Sequence, residues 1–181
     1  MISGGVFLLL FSACTEDYPE REPSPVTPAN CVGAYFPSSN IQSYELDPAD
    51  PTSFQVTVSR TNTSGAASVP ISVVSNPDNV FSVPANVEFA SGAETATISV
   101  SFTDAAIGTN YTLEIEVEGE QYVDHYTEIE GFPTIAVSVI RVKWDNLGTG
   151  QFYDSFTLYS VADITLQYSE DKDMYLSLIH I

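Results

Sequence analysis

From residue 32 onward, apolar and polar positions alternate in short runs, separated by clusters of Gly, Pro, Asn and Asp. A period of two sends successive side chains to opposite faces of a strand, so each run predicts a strand half in the core and half in water. Residues 32–36 form the first such run, closed by Pro37-Ser38-Ser39-Asn40, and 43–46 a short second, stopped by Asp47-Pro48-Ala49-Asp50-Pro51. Phe54, Val56 and Val58 then share one face against Gln55, Thr57 and Ser59, and Val69, Ile71 and Val73 follow beyond a turn at 62–65. A short pair is expected at 80–83 and 86–89. Ile98, Val100 and Phe102 alternate within 95–102. Tyr111, Leu113, Ile115 and Val117 oppose Thr112, Glu114, Glu116 and Glu118, and 134–142 gives the last strand of the unit.

No segment carries a useful helical period. Seven or more strands divided by turn residues predict an all-β fold, an antiparallel Greek-key (immunoglobulin-like) β-sandwich over 31–142. After Lys143 the pattern changes. Residues 144–154 read as a tight loop feeding a hairpin, followed by Phe156, Leu158 and Tyr159, and then by Ile164, Leu166 and Tyr168 in alternation. Residues 143–175 are therefore expected to open a second β domain. The final stretch, Leu176-Ser177-Leu178-Ile179-His180-Ile181, is what the codons CTG TCT CTT ATA CAC ATC of a transposon-end adapter would encode. Residues 176–181 are expected to derive from that adapter, with the second domain truncated near Tyr175.

The N-terminus obeys different rules. Val6-Phe7-Leu8-Leu9-Leu10-Phe11 is too short to span a bilayer but suits the apolar core of a signal peptide, and small residues lead into Cys14. Phe11-Ser12-Ala13-Cys14 resembles the lipobox of bacterial lipoproteins, although residues 1–5 lack the usual basic start. The resemblance makes 1–14 the signal peptide and Cys14 the lipidated residue. Residues 15–30 then form an acidic, Pro-rich tether with Pro19, Pro23, Pro25 and Pro28. Its opening, Thr15-Glu16-Asp17, resembles the surface-export signal of Bacteroidetes lipoproteins. The implied location is the outer membrane, lipid-anchored and surface-exposed, with the membrane as a partner through the lipid on Cys14.

Within the sandwich, the strand 54–61 ending in an Arg-containing turn, and Phe81-Ser82-Val83-Pro84 followed by 87–98 with its Gly turn, resemble the Calx-beta family. The likeness covers roughly 40–120. Some members bind Ca2+ through acidic loops at one end of the sandwich. Carried onto this chain, the residues that could supply oxygen ligands are Glu45, Asp47, Asp50 and Asp104. Metal-binding members carry consecutive aspartates at the second loop, where this chain has Asp104-Ala105-Ala106.

Charge narrows the function classes. Five Lys and Arg face 24 Asp and Glu, a net charge of −19. Phosphate recognition needs clustered cations, so nucleic acid is excluded as a partner. Catalysis finds no footing either: His125 lies in an alternating segment, Glu114 and Glu116 belong to a water-facing strip, and no CxxC pair or phosphate loop occurs. The protein is read as no enzyme, and no cofactor beyond the Ca2+ option is expected. Cys31 reads as a small buried hydrophobe. Late aromatics, above all Trp144 and Tyr153, are candidate platforms for a glycan or a surface protein. The expected function is a lipid-anchored, non-catalytic surface binding or scaffold module. The competing expectations are the front end of an enzyme whose catalytic domain lies further on, and a Ca2+-stiffened adhesion spacer.

Overall fold

A computed structural model describes residues 24, 26–124, 126, 131–154 and 160–180. They form twelve strands: β1 (Ala34–Pro37), β2 (Ser43–Leu46), β3 (Ser53–Arg60), β4 (Ala67–Ser75), β5 (Asn86–Phe89), β6 (Thr95–Ser101), β7 (Asn110–Val117), β8 (Gly131–Phe132), β9 (Thr134–Arg141), β10 (Asp145–Asp154), β11 (Ser160–Ser169) and β12 (Met174–His180). No described residue is helical. Two sheets, in the orders β6-β3-β1-β8 and β2-β9-β7-β4-β5, face each other as a β-sandwich, and β10-β11-β12 make a separate meander.

The alternation drives this assembly. Phe54, Val56, Val58, Ile98 and Val100 of the first sheet meet Val69, Ile71, Val87, Leu113, Ile115, Val137 and Val139 of the second, all buried. Removing that apolar area from water is the main stabilising term, about 25 cal/mol per Å2. At one end Phe54, Phe81 and Phe102 cluster, with Tyr44 stacked on Phe54 at 4.7 Å between ring centroids.

Local chemistry moves several boundaries. The first strand starts at Ala34 rather than Val32, because Gly33 adopts a φ of +63° and turns the chain. Val73 keeps the register, opposite Ile115, but is 47% exposed, and a bulge between Val73 and Ser75 ends the regular β4–β7 pairing beyond it. Residues 80–83 make only a bridge at Ser82, not a strand. Pro84 comes next, and Phe81 gives its carbonyl to the Asn76 side chain at 2.9 Å. Residues 144–154, read as a loop, are mostly strand β10, kinked by a bulge between Asn146 and Gly148. Residues 176–180, expected to be adapter-derived, lie in β12 against β11.

Among the twelve described strands one pairing is parallel. β2 runs alongside β9 from Ser43↔Ser138 to Leu46↔Arg141, whereas every other strand pairing is antiparallel. Tyr35, Asn40 and Tyr44 meet Ser59, Thr57 and Phe54 of β3 in turn, so β2 continues in the direction of β1. The five residues 38–42 carry the chain from one sheet to the other without reversing it. The chain therefore enters the sandwich at one pole, before β1, and leaves at the opposite pole, after β9.

Candidate functional site

The exit pole gathers the loop after β2, the loop between β6 and β7, and the end of β9. Backbone bonds fix them: Val142 N–H donates to Leu46 O at 2.8 Å and Gly108 N–H to Arg141 O at 2.8 Å. The Arg141 guanidinium donates to the Pro48 carbonyl, so the loop after β2 is clasped to the end of β9. Glu45, Asp47, Asp50 and Asp104, widely spaced in sequence, all belong to this pole by topology.

Their roles differ. Glu45 projects from β2 and accepts from the Trp144 indole N–H at 3.1 Å through Oε1, and pairs with Lys172 Nζ through Oε2. Lys172 holds the Glu45 carboxyl below the ordinary glutamate range, chiefly through its hydrogen bond; burial opposes this, and the Trp144 hydrogen bond and the charge of Lys172 add to the lowering. Both oxygens of Glu45 thus join the sandwich to the β10-β11-β12 sheet. Asp47 Oδ1 accepts from Ala49 N–H and Asp50 Oδ2 from Asp47 N–H, both at 2.8 Å, so these carboxylates shape their own turn. Asp104 is exposed. Among the described residues, no three His, Cys, Asp or Glu side chains converge as a metal-holding group.

The joint was hidden in the sequence. Lys172 sits in the β11–β12 turn, 127 positions from its partner, and Trp144 sits 99 away. The same turn approaches the β6–β7 loop so closely that a Cβ added at Gly108 would meet Asp171 Oδ1 at 3.0 Å. Lys143, beside the joint, pairs with Asp145 at 2.7 Å. That hydrogen bond, with the carboxylate's charge, keeps the ammonium above its usual range.

The remaining sequence candidates are dispersed. Trp144 is half-buried in the joint. Tyr153 has its backbone in β10 and its side chain outside the described residues, as are Cys14 and His125. Cys31 is half-buried, not buried, and free. Tyr122 packs against the core, while Phe152 is 48% exposed. Glu116 accepts from Ser72 Oγ at 3.1 Å on the sheet surface. A shallow depression of about 350 Å3 on the β10-β11-β12 sheet is lined by Thr149, Gly150, Gln151 and Asp163, a set able to exchange hydrogen bonds with hydroxyl groups.

Arg60 is a structural residue that sequence reading placed in a turn. It is the last residue of β3 and only 4% exposed. Its Nε donates to Ala93 O at 2.7 Å and its Nη2 to Ala90 O at 2.8 Å, while the guanidinium lies 4.8 Å from the Phe89 ring centroid. It pins the turn between β5 and β6. The four described cations, Arg60, Arg141, Lys143 and Lys172, are all engaged in such contacts.

These features define an all-β protein, a sandwich joined through its exit pole to a second sheet. No family model matches the sequence, and neither does any curated protein. A solved structure, a protein of unknown function from Bacteroides ovatus, is similar at a TM-score of 0.44 and 10% identity, over 75% of this chain. The chain spans 58% of that protein's length.

Proposed function

We propose that the protein is a lipid-anchored, non-catalytic scaffold module of a Bacteroidetes-type outer membrane. In this reading it is held by Cys14 and presents its β domains, for contact with a glycan or a surface protein, away from the membrane. The observation that supports this best is the path of the chain. It enters at one pole of the sandwich and leaves at the other, where Glu45, Trp144 and Lys172 tie on the next sheet. A module with both connections at one pole would add no length. This one adds about 25 Å, the span of an eight-residue strand at about 3.3 Å per residue. Its net charge of −19 keeps such a surface soluble and apart from anionic headgroups.

The test is lipid incorporation in a Bacteroidetes host expressing the gene from its native start. Labelled fatty acid should enter the protein, Cys14→Ser should abolish the label and release the protein from the membrane fraction, and external protease should cleave the wild type on intact cells. Unlabelled wild type, or a Cys14→Ser variant that stays labelled, would refute the anchor.

A further inference from the structure

The sandwich treats its sheet edges unequally. β2 and β5 have four residues each and carry Glu45 and Glu88, and β8 has two residues followed by Pro133. Shortness, charge and proline are the usual protections of an edge against pairing with another chain. The inner edge of β3 is sealed by side chains instead. Where β1 reaches Pro37, which has no N–H to give, Asn40 takes over: its Nδ2 donates to Thr57 O at 2.8 Å and its Oδ1 accepts from Thr57 N–H at 2.9 Å.

β6 has none of these devices. Its seven residues, Thr95-Ala96-Thr97-Ile98-Ser99-Val100-Ser101, contain no charge, proline or glycine, and they pair with β3 without a bulge. Ser101 exchanges both backbone bonds with Ser82, so its N–H and C=O point away from β3. The two-residue repeat turns the backbone groups of Thr95, Thr97 and Ser99 the same way. Among the described residues no strand meets them there.

The charges point to the occupant. The strands of this sheet contain no acidic residue, and their one charge, Arg60, is buried. The acidic residues borne on strands of the sandwich, Glu45, Glu88, Glu114 and Glu116, all lie in the other sheet. A cationic partner would choose that other sheet. The neutral edge is where a second copy of this acidic chain could approach with least repulsion. We infer that β6 is a self-association edge, pairing antiparallel with β6 of a second copy about a two-fold axis at Thr97.

In that register Thr97 faces Thr97 of the second copy, and Thr95 faces its Ser99. Threonine and serine across a strand pair favour pairing. The two Glu94 side chains end about 20 Å apart at about 3.3 Å per residue, beyond a Debye length of roughly 8 Å at physiological salt.

Sedimentation of the full chain tests this. Wild type should form a concentration-dependent dimer, tighter at high salt, where repulsion between the acidic copies is screened. Thr97→Pro removes an N–H that β3 does not use, so the fold should survive and the dissociation constant rise at least tenfold. Thr97→Lys, which sets like charges opposite each other, should act similarly and decides the matter if the proline variant misfolds. Thr97→Cys should cross-link to itself under oxidation and Thr95→Cys should not, since a directly opposed pair lies about 5.5 Å apart at Cα. A wild type that stays monomeric to about 1 mM overturns the inference. So does a dimer indifferent to both Thr97→Pro and Thr97→Lys, or equal cross-linking at 95 and 97.

Discussion

Replacing Arg60 with alanine removes the pin that holds the β5–β6 turn to the end of β3. Two hydrogen bonds from a charged donor are worth about 1.5–3 kcal/mol each when buried. The acceptors, however, belong to Ala90, which is exposed, and Ala93, which is half-buried, so water recovers much of that on truncation. About 2 kcal/mol remains for the pair, and the contact with Phe89 adds about 0.5–1 kcal/mol. With the lost stem packing, Arg60→Ala should cost about 3 kcal/mol, a fall in Tm of about 12 °C for a unit of this size. Lysine keeps the charge and most of the stem but lacks the planar fork that reaches two carbonyls at once. Arg60→Lys should therefore lose about half as much. Urea and thermal unfolding followed by circular dichroism read both variants. A loss below about 1 kcal/mol for Arg60→Ala would refute the pin, because surface substitutions away from such features stay within about 0.5 kcal/mol.

The joint at Glu45 should loosen in acid. Its carboxyl is held below the ordinary range by Lys172, so its contribution is present above the unfolded value of about 4.3 and is lost as the pH falls through the lower folded value. Trp144 fluorescence should report that change below about pH 4, and Glu45→Gln should show the loosened signal at neutral pH; an acid-insensitive indole would contradict the coupling. Ca2+ should leave Tm within about 1 °C of the value in chelator, because Glu45 is engaged by Trp144 and Lys172, and Asp47 and Asp50 by their own turn. A rise of several degrees would restore the Ca2+-stiffened spacer in place of the plain scaffold.

How much of the fold the chain reveals depends on the range of the interaction. β3, β6, β7 and β9 were legible because their alternation is local and each turns one face to the core. β10 was not, because Gly148 and Gly150 with polar neighbours read as a turn, and its strand character comes from pairing with β11. The bulge after Val73 depends on the register against β7, which has no signature in β4 itself. Glu45 was visible as an acid and was assigned oxygen chemistry. Its engagement by Trp144 and Lys172 depends on chain segments about a hundred residues away. Arg60 was legible only as part of the turn that ends its strand, and its grip on Ala90 and Ala93 required the β5–β6 turn to be placed in space.

An anchor at Cys14 and a paired β6 edge constrain each other through direction. Antiparallel pairing of β6 with β6 inverts one sandwich relative to the other, so the poles at which the two chains enter lie at opposite ends of the joined sheet. Copies anchored through Cys14 in one membrane would need one tether to reach back along the sandwich, about 25 Å for an eight-residue strand. The proposed tether of residues 15–30 would have that reach with length to spare at the roughly 3.1 Å per residue of an extended Pro-rich chain. Copies on facing membranes would need no such detour, since the two entry poles already lie at opposite ends. The geometry therefore favours pairing between facing surfaces over pairing within one, and the preference should sharpen as the tether is shortened. An acid-free sheet beside an acidic one serves that arrangement: the acidic sheet keeps the sandwich soluble, and the neutral edge is left for a second copy.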